Sequence, residues 1–438
     1  MLTGMLSAGD EVRARISEAP YKVGRMLGSG GQGEVYEGTL EGSALALKWY
    51  YPHTATDQQR AILATVIEAG APDGRFLWPI EMVSSASVQG FGYLMPLRAP
   101  RFRGIPDVAT RRVKPSFQAL TTASVHLADA FLQLHAKGLC YRDISDKNVF
   151  LDPTTGEILI CDNDNVGLDQ TAGAIDGTPR FMAPEIVRGE SVPSTQTDLF
   201  SLAVLLFLML LNHHPLDGAR EAQIHCFDLP AMTRLYGTEP LFIFDPSDAS
   251  NAPVRGLHDN ALAFWPLYPS FLRDLFTRAF TMGLADASHG RVRESTWRSA
   301  LSRLRDVIFY CACGAENFYD DAHEGVGTGP GDCWSCHRPL QLPPRIRMGR
   351  AVVMLNHDAR LFQHQADPAA TYQFAVAFAE VDRHPTDSSL WGLKNLGGEP
   401  WTAVTSDGRT RQVEPGRSLA LISGTQIHFG KFDGEILV

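Results

Sequence analysis

An aspartate and an asparagine lie five residues apart in the segment Tyr141-Arg142-Asp143-Ile144-Ser145-Asp146-Lys147-Asn148. A carboxylate can orient a hydroxyl group, and carboxylate and carboxamide oxygens are groups that bind Mg²⁺. Short turns rich in Asp and Asn also occur in loops of many folds. The meaning of this segment therefore depends on the motifs before and after it.

A glycine-rich segment precedes it, with glycines at positions 28, 30, 31 and 33. Glycines in such a turn let the backbone approach phosphates closely, because no Cβ intervenes. A dinucleotide-binding unit would open a helix at this point. The segments 34–38 and 44–48 instead favour two paired strands, the second ending at Lys48. A helical segment containing Glu68 follows, and then a buried strand, 91–95, that leads into Pro96 and Leu97.

Further motifs follow the segment 141–148. A short apolar strand, 158–161, leads into Asp162-Asn163-Asp164. Beyond it come, in order, Gly177-Thr178-Pro179, Ala183-Pro184-Glu185, Thr197-Asp198 and Arg291.

These motifs, in this order, resemble those of bacterial eukaryotic-type (Hanks-type) Ser/Thr protein kinases over residues 20–308. The resemblance implies an α+β, two-lobed protein kinase fold, with an N-lobe at about 20–94, a C-lobe at about 98–308 and ATP between them. It implies that Asp143 orients the acceptor hydroxyl, that Asn148 and Asp162 bind Mg²⁺, and that Lys48 contacts the α and β phosphates. Glu68 would form an ion pair with Lys48, and Glu185 would pair with Arg291.

The same resemblance implies an ATP pocket. Met95 would lie near the gatekeeper position, and Leu97 would donate to adenine because Pro96 has no N–H. The residues expected to line the pocket are Leu27, Gly28, Ser29, Gly30, Gly31, Gln32, Gly33, Val35, Ala46, Lys48, Met95 and Leu97.

The motif around Asp162 departs from the family pattern. Asn163 and Asp164 stand where kinases have Phe and Gly, so Asp164 is an alternative magnesium ligand, although Asp162 is preferred for its position directly after the strand.

The cation of the catalytic loop is also displaced. Ser145 stands where Ser/Thr kinases have Lys, and Lys147 is the nearby cation that could neutralise the transferred phosphoryl group. Thr178 is expected to bond Asp143 and favours a Ser/Thr acceptor over Tyr. Arg142 would meet a phosphate on the activation segment, for which Thr171 is the candidate site.

Two other functions remain open on the sequence. A pseudokinase scaffold would bind nucleotide without transfer, and an adaptor would use the C-terminal region to bind phosphoproteins. Unchanged transfer by variants of Asp143 and Lys48 would contradict the kinase interpretation, which also implies autophosphorylation and a role in bacterial signalling.

A cysteine cluster follows the kinase-like region. Cys311, Cys313, Cys333 and Cys336 suit a tetrahedral structural Zn²⁺, and they predict a zinc-ribbon-like module with its linker over 309–343. His323 or His337 could replace one cysteine ligand, and four free thiols are the remaining alternative.

Residues 345–438 alternate short apolar runs with turn signals, which predicts an all-β sandwich. The segments 390–396, 414–416 and 424–430 resemble those of forkhead-associated domains, with Arg350 and Asn395 as candidates for reading phosphothreonine. A protein-docking or purely structural role is the alternative. The whole layout resembles kinases of bacterial phosphorylation triads, which implies a metal-dependent phosphatase and a von Willebrand A protein as partners.

Composition limits the other partners. The formal net charge is −10 and the sequence pI about 5.8, which argues against nucleic-acid binding. The longest apolar run, 202–211, is too short to cross a bilayer and predicts a buried helix. We therefore expect a cytoplasmic protein that acts on protein substrates.

Overall fold

The computed structural model describes residues 5–171, 177–320, 330–367, 369–384, 386–387 and 390–438. These residues form two compact units, one within Met1–Phe264 and Asp274–Arg298 and the other within Trp265–Arg273 and Ser299–Val438. None of the helices in the described ranges is both long and apolar enough to span a membrane.

The first unit begins with a closed barrel whose strands are hydrogen-bonded in the order β1-β2-β3-β4-β6-β5. Strand β1 pairs with both β2 and β5, so the barrel begins at Glu11 and not at about residue 20. The strands are β1 (Glu11–Ala14), β2 (Pro20–Ser29), β3 (Gly33–Leu40), β4 (Ser43–Tyr50), β5 (Glu81–Ser84) and β6 (Gly92–Pro96).

The alternation of side chains along β4 decides on which face of the strand Lys48 lies. Leu47 and Trp49 belong to the core inside the barrel, whereas Ala46 and Tyr50 belong to a second cluster that includes Leu63 of helix α1 (Asp57–Ala69). Because successive side chains of a strand point to opposite faces, Lys48 shares the α1-facing side with Ala46 and Tyr50.

The rest of the first unit is mainly helical. Helix α5 contains the apolar run 202–211, which is buried almost throughout, as the sequence predicts. The helices that follow α1 along the chain, up to residue 306, are α2 (Ile105–Ala109), α3 (Phe117–Ala136), α4 (Pro184–Val187), α5 (Thr195–Leu211), α6 (Ala219–Ala222), α7 (Leu229–Thr233), α8 (Asp259–Phe264), α9 (Ser270–Phe280), α10 (Met282–Ala285) and α11 (Glu294–Asp306).

Short strands hold the loops that carry the predicted site. Strand β8 (Leu139–Cys140) pairs with β11 (Gly167–Leu168), and β9 (Val149–Leu151) pairs with both β10 (Ile158–Ile160) and β7 (Arg103–Gly104). The segment 141–148 therefore runs from β8 to β9, and the segment 161–166 runs from β10 to β11. Residues Asn163–Asn165 of the second loop form a single 3-10 turn.

The second unit contains a small hairpin, β12 (Ile308–Tyr310) and β13 (Glu316–Phe318), and two larger sheets. The six-stranded sheet has the order β15-β14-β23-β22-β19-β20, and the four-stranded sheet has the order β16-β17-β18-β21. The elements are β14 (Arg345–Met348), β15 (Ala351–Met354), β16 (Arg360–Leu361), α12 (Gln363–Ala366), β17 (Ala379–Arg383), β18 (Trp391–Asn395), β19 (Trp401–Val404), β20 (Thr410–Val413), β21 (Ser418–Ala420), β22 (Gln426–His428) and β23 (Asp433–Leu437).

Both larger sheets contribute to one apolar core. Ile346 and Trp401 of the six-stranded sheet pack in the same buried cluster as Leu361 and Leu393 of the four-stranded sheet. Two sheets that share a core form a sandwich, so the described residues of 345–438 contain the predicted strands, together with the single helical turn α12. The boundaries predicted at 308/309 and 343/345 stay predictions.

Candidate active site

The segment 141–148 brings three predicted residues into hydrogen-bond contact. Asn148 Nδ2 donates to Asp143 Oδ2 at 3.1 Å and to the Asp143 carbonyl at 2.9 Å. Thr178 Oγ1 donates to Asp143 Oδ1 at 2.7 Å, which is the contact expected from the sequence. Burial raises the pKa of Asp143, although these hydrogen bonds from Thr178 and Asn148 counteract part of the effect. The Asp143 carboxylate is thus oriented from both sides.

Asp198 at the start of α5 holds the backbone that leads into Asp143. Its carboxylate accepts hydrogen bonds from the backbone N–H groups of Tyr141, at 2.5 Å, and Arg142, at 3.0 Å. His135 at the end of α3 contacts Asp198 through Nε2 at 3.0 Å and Glu294 through Nδ1. Burial lowers the pKa of His135, but the bonds to Asp198 and Glu294 outweigh it and raise the pKa to about 9.

Lys48 is bound by two carboxylates and one amide. Its Nζ lies 3.0 Å from both carboxylate oxygens of Asp164 and 3.3 Å from Asp162 Oδ1. It also donates to Gln32 Oε1, at the tip of the glycine-rich turn, at 2.9 Å. Burial by itself lowers the pKa of Lys48, but Asp164 and then Asp162 raise it above its usual value, so the ammonium stays charged.

Asp164 is the more enclosed of these two carboxylates. Its side chain is fully buried, whereas that of Asp162 is 41% exposed. The Tyr50 hydroxyl and the Tyr93 hydroxyl, the latter at 3.1 Å, both donate to Asp164, and Gln59 of α1 donates to its carbonyl at 3.2 Å. These contacts occupy Asp164, and the magnesium role of Asp162 stays a prediction.

Glu68 does not lie where the sequence predicted. It is on the exposed side of α1, and Lys48 pairs with Asp164 and Asp162 instead. The reason is helical phase: the buried residues of α1 are Gln59, Leu63 and Val66, and Glu68 falls outside that stripe.

Sequence reasoning missed the residues that surround Asp164. Tyr50 could have been found, because it lies two residues after Lys48 in the same strand and so on the same face. Tyr93 is directly opposite Lys48 in the β4–β6 register, which follows only from the pairing of the two strands.

The glycine-rich turn connects β2 to β3, and Gly30 N–H donates to the Gly33 carbonyl at 2.9 Å. A Cβ on Gly33 would meet the Trp49 carbonyl oxygen at 2.2 Å, so this glycine is required by packing against β4. Cβ atoms on Gly28, Gly30 and Gly31 would meet nothing within 4 Å. That open space is what a phosphate-binding turn needs.

The other predicted pocket residues lie on neighbouring strands. Val35 is opposite Lys48, and Ala46 is opposite Met95, in the registers of the barrel. Ala46 and Met95 are buried, Val35 and Leu97 are half-buried, and Leu27 and Ser29 are exposed.

Lys147 is exposed and lines a cavity together with Arg98, Arg103 and Phe150. Arg142, by contrast, is buried and donates through Nη2 to Thr171 Oγ1 at 2.6 Å. The ion pair expected between Glu185 and Arg291 is present at 2.8 Å.

The four clustered cysteines converge in the second unit. Their Sγ atoms all lie within 4.8 Å of one another, with Cys311 to Cys336 at 3.6 Å and Cys313 to Cys333 at 3.8 Å. A tetrahedral Zn²⁺ with Zn–S bonds of about 2.3 Å requires sulfur atoms about 3.8 Å apart. The cluster therefore has the dimensions of such a site. His323 lies outside the described residues.

Asn395 is not available to read a phosphopeptide. It is fully buried, its Nδ2 donates to the carbonyls of Glu399 at 2.8 Å and Val413 at 3.0 Å, and its Oδ1 accepts from Gly397 N–H at 2.8 Å. The residue holds a turn of the sandwich, which corrects the prediction. Arg350 is exposed at the turn between β14 and β15.

Residues 103–263 match the family model of the protein kinase domain. The matched range contains Asp143, Asn148, Asp162 and Thr178. It begins after Lys48, so the glycine-rich turn and its lysine are supported by geometry and not by this match.

The curated proteins similar to this chain are protein kinases. The serine/threonine-protein kinase pkn2 of Myxococcus xanthus is 27% identical over 220 residues, which cover 46% of this chain and 26% of that protein. The CBL-interacting protein kinase 4 of Oryza sativa subsp. japonica is 28% identical over 229 residues, 47% of each protein. The putative protein kinase C delta type homolog of Drosophila melanogaster is 38% identical over 104 residues, 22% of this chain and 15% of that protein. The chain thus spans less than half of the length of these relatives.

Proposed function

We propose that this protein is an ATP-dependent Ser/Thr protein kinase that transfers the γ-phosphoryl group of ATP to hydroxyls of protein substrates. One observation carries the proposal: the carboxylate of Asp143 is oriented by Thr178 and Asn148 within a region similar to protein kinases. Lys48, held by Asp164 and Asp162, completes the set of charged groups.

Each residue would act by position and charge. Asp143 would accept the hydrogen bond of the acceptor hydroxyl and hold it in line, since burial and two donors fix its carboxylate. Lys48 would attract the α and β phosphates, and Asp164 would keep its ammonium in place. Most of the acceleration in such a site comes from positioning and electrostatic stabilisation.

The residues present fit Mg²⁺ and ATP. Asn148 uses its Nδ2 for Asp143, and in the described part of the chain no hydrogen bond occupies its Oδ1. Cys161 N–H donates to the Asn148 carbonyl at 2.9 Å, which joins the two loops beside Asn148 and Asp162. Hard oxygen ligands of this kind suit Mg²⁺, which would neutralise charge on the phosphates.

A nucleotide-binding scaffold without transfer is the second candidate. It is favoured by Asn163 and Asp164 in place of Phe and Gly and by Ser145 in place of Lys. Incubation with radiolabelled ATP, Mg²⁺ and casein separates the two. A kinase labels casein on Ser or Thr, and Asp143→Asn stops this labelling while retaining nucleotide binding. A scaffold binds nucleotide and labels nothing in either form.

Phosphorylation of Thr171 would stabilise the loop around Arg142. A phosphate there would form stronger, charge-assisted hydrogen bonds than the present hydroxyl contact at 2.6 Å. We expect autophosphorylation at Thr171, higher activity of the phosphorylated form, and loss of that gain in Thr171→Ala. Mass spectrometry that finds Thr171 unmodified in active protein would contradict this assignment.

The cysteine cluster would hold one structural Zn²⁺. Four thiolates at tetrahedral spacing leave no position for a reacting ligand, so the ion would stabilise the fold and not take part in catalysis. Arg338 Nε lies 3.5 Å from Cys336 Sγ, and this hydrogen bond lowers the pKa of Cys336 to about 6.

The sandwich of 345–438 would serve as a forkhead-associated-like docking domain. Because Asn395 is committed to backbone groups, Arg350 is the remaining candidate for a phosphate contact, and an adaptor role would depend on it. Partnership with a metal-dependent phosphatase and a von Willebrand A protein and a role in bacterial signalling follow only from the family resemblance, and a cytoplasmic location stays an expectation from the sequence. Loss of phosphothreonine-peptide binding in Arg350→Ala would support the adaptor role.

A further inference from the structure

A cavity of about 510 Å³ lies beside the loop that carries Asp143. Its lining includes Lys147, directly before Asn148, and Phe150 of β9. Arg103 of β7 also lines it, and β7 is hydrogen-bonded to β9 with Gly104 opposite Phe150. The cavity is therefore bordered by the strand that follows the catalytic loop and by its neighbour β7.

The charge of this cavity opposes that of the whole chain. Three cations line it, Arg98, Arg103 and Lys147, against the single carboxylate of Asp107. Asp107 is already paired with Arg103 at 3.3 Å and with Arg112 at 3.6 Å. A basic cavity in a chain with a formal net charge of −10 is a local feature that general surface charge does not explain.

Two of the cations are available to a ligand. Within the part of the chain that the structure describes, neither Arg98 nor Lys147 forms an ion pair with a carboxylate.

Arg98 is also held in position. Its Nη1 donates to the Phe102 carbonyl at 2.6 Å, and its guanidinium lies 4.2 Å from the centre of the Phe150 ring. A fixed guanidinium loses less conformational entropy when it binds a carboxylate.

We propose that this cavity binds acidic side chains, Asp or Glu, that flank the Ser or Thr acceptor of the protein substrate. The inference rests on the proposed function and adds a substrate class to it. The α and β phosphates of the nucleotide are expected elsewhere, at Lys48 and the glycine-rich turn, neither of which lines this cavity. A carboxylate-bearing segment beside the acceptor hydroxyl is the ligand whose charge and location both fit.

The test uses the full chain and peptides with one Thr acceptor flanked within four positions by Asp, Ala or Lys. We expect the Asp peptide to have the lowest KM and the Lys peptide the highest. Arg103→Glu and Arg98→Glu should each raise the KM of the Asp peptide about five-fold, as expected for an exposed charge pair, and lower that of the Lys peptide. The KM for ATP should stay within two-fold. Lys22→Glu, which reverses an exposed charge of β2 outside the cavity, serves as the matched control.

Binding of fluorescent peptides, followed by anisotropy without nucleotide, tests the cavity separately from phosphoryl transfer. The Asp peptide should bind more tightly than the Lys peptide, and Arg98→Glu should remove the difference, because Arg98 is the fixed cation without a carboxylate partner in the described part of the chain. Equal binding of the peptides, an unchanged preference in both variants, or an increase in the KM for ATP alone would overturn the proposal. Absence of transfer with this binding preference intact would contradict the kinase function and leave the acidic-ligand site standing.

Discussion

Lys48 Nζ lies 3.0 Å from both carboxylate oxygens of Asp164, a residue whose side chain is fully buried. The partner of this lysine thus comes from the 3-10 turn after β10 and not from helix α1. Tyr50 and Tyr93 donate to the same carboxylate, so its position is fixed independently of Lys48.

Asp164→Asn should lower kcat/KM at least about ten-fold, which corresponds to roughly 1.4 kcal/mol. The substitution removes the charge that holds the Lys48 ammonium in place, and breaking a buried pair also costs stability, about 3 kcal/mol. Glu68→Gln is the matched control, because Glu68 is exposed and should leave kcat/KM within two-fold. Steady-state kinetics on both variants, with circular dichroism to verify folding, makes the comparison. A large loss in Glu68→Gln and none in Asp164→Asn would contradict this geometry.

The motifs around Asp143 could be predicted because each lies within one short segment. Asp143 and Asn148 share a loop, and Asp162 follows directly after a strand. The partner of Lys48 could not be predicted in the same way. Whether Glu68 is buried depends on the phase of α1. The inward position of Asp164 belongs to a turn in which Asp162 adopts a left-handed conformation with φ 54°, which is uncommon for a residue other than glycine.

In the C-terminal sandwich, too, the strands could be predicted from the sequence but the role of a single side chain could not. Its alternating strands were evident from the sequence, since a period of two marks a half-buried strand. The role of Asn395 was not, because a buried amide that satisfies backbone groups and an exposed one that reads a ligand look identical in a sequence.

His135 should make the first unit less stable as pH rises. Its pKa is about 9 in the folded protein, above the ordinary 6.5, because Asp198 and Glu294 bind the charged ring despite its burial. The stabilisation is fully present below pH 6.5 and is lost as pH rises through 9, by roughly 3 kcal/mol. Urea titrations at pH 6, 7.5 and 9 measure this slope. His135→Gln should reduce this dependence of the free energy of unfolding on pH. His225 is exposed, and His225→Gln should leave the dependence unchanged.

Asp306 should make the stability of the second unit depend on pH in the acidic range. Burial raises its pKa to about 7, against the lowering effects of the Gln365 hydrogen bond and Arg305. The folded protein holds this proton more tightly than the unfolded chain. The free energy of unfolding should therefore fall by roughly 4 kcal/mol as pH rises from about 4 to about 7. Asp306→Asn should remove this part of the slope in thermal unfolding, and Glu414→Gln, at an exposed site, should retain it. An unchanged slope in Asp306→Asn would contradict the assignment.

Elemental analysis of the purified chain should find about one zinc per molecule. Cys336→Ser should lose the metal and lower the unfolding temperature, because structural zinc contributes directly to folding. Cys226→Ser is the matched control, since Cys226 is an exposed cysteine outside the cluster. Purified protein without zinc, stable and unaffected by chelator, would contradict the site.

The most direct test of the central claim is phosphoamino-acid analysis of a substrate after incubation with radiolabelled ATP and Mg²⁺. The wild-type protein should produce labelled phosphoserine or phosphothreonine. Asp143→Asn should reduce the rate by at least about a thousand-fold while the protein stays folded and still binds nucleotide, because the oriented carboxylate acts on the hydroxyl and not on the nucleotide. Equal labelling by both proteins, or no labelling by the wild type under conditions where it binds nucleotide, would contradict the assignment of a protein kinase.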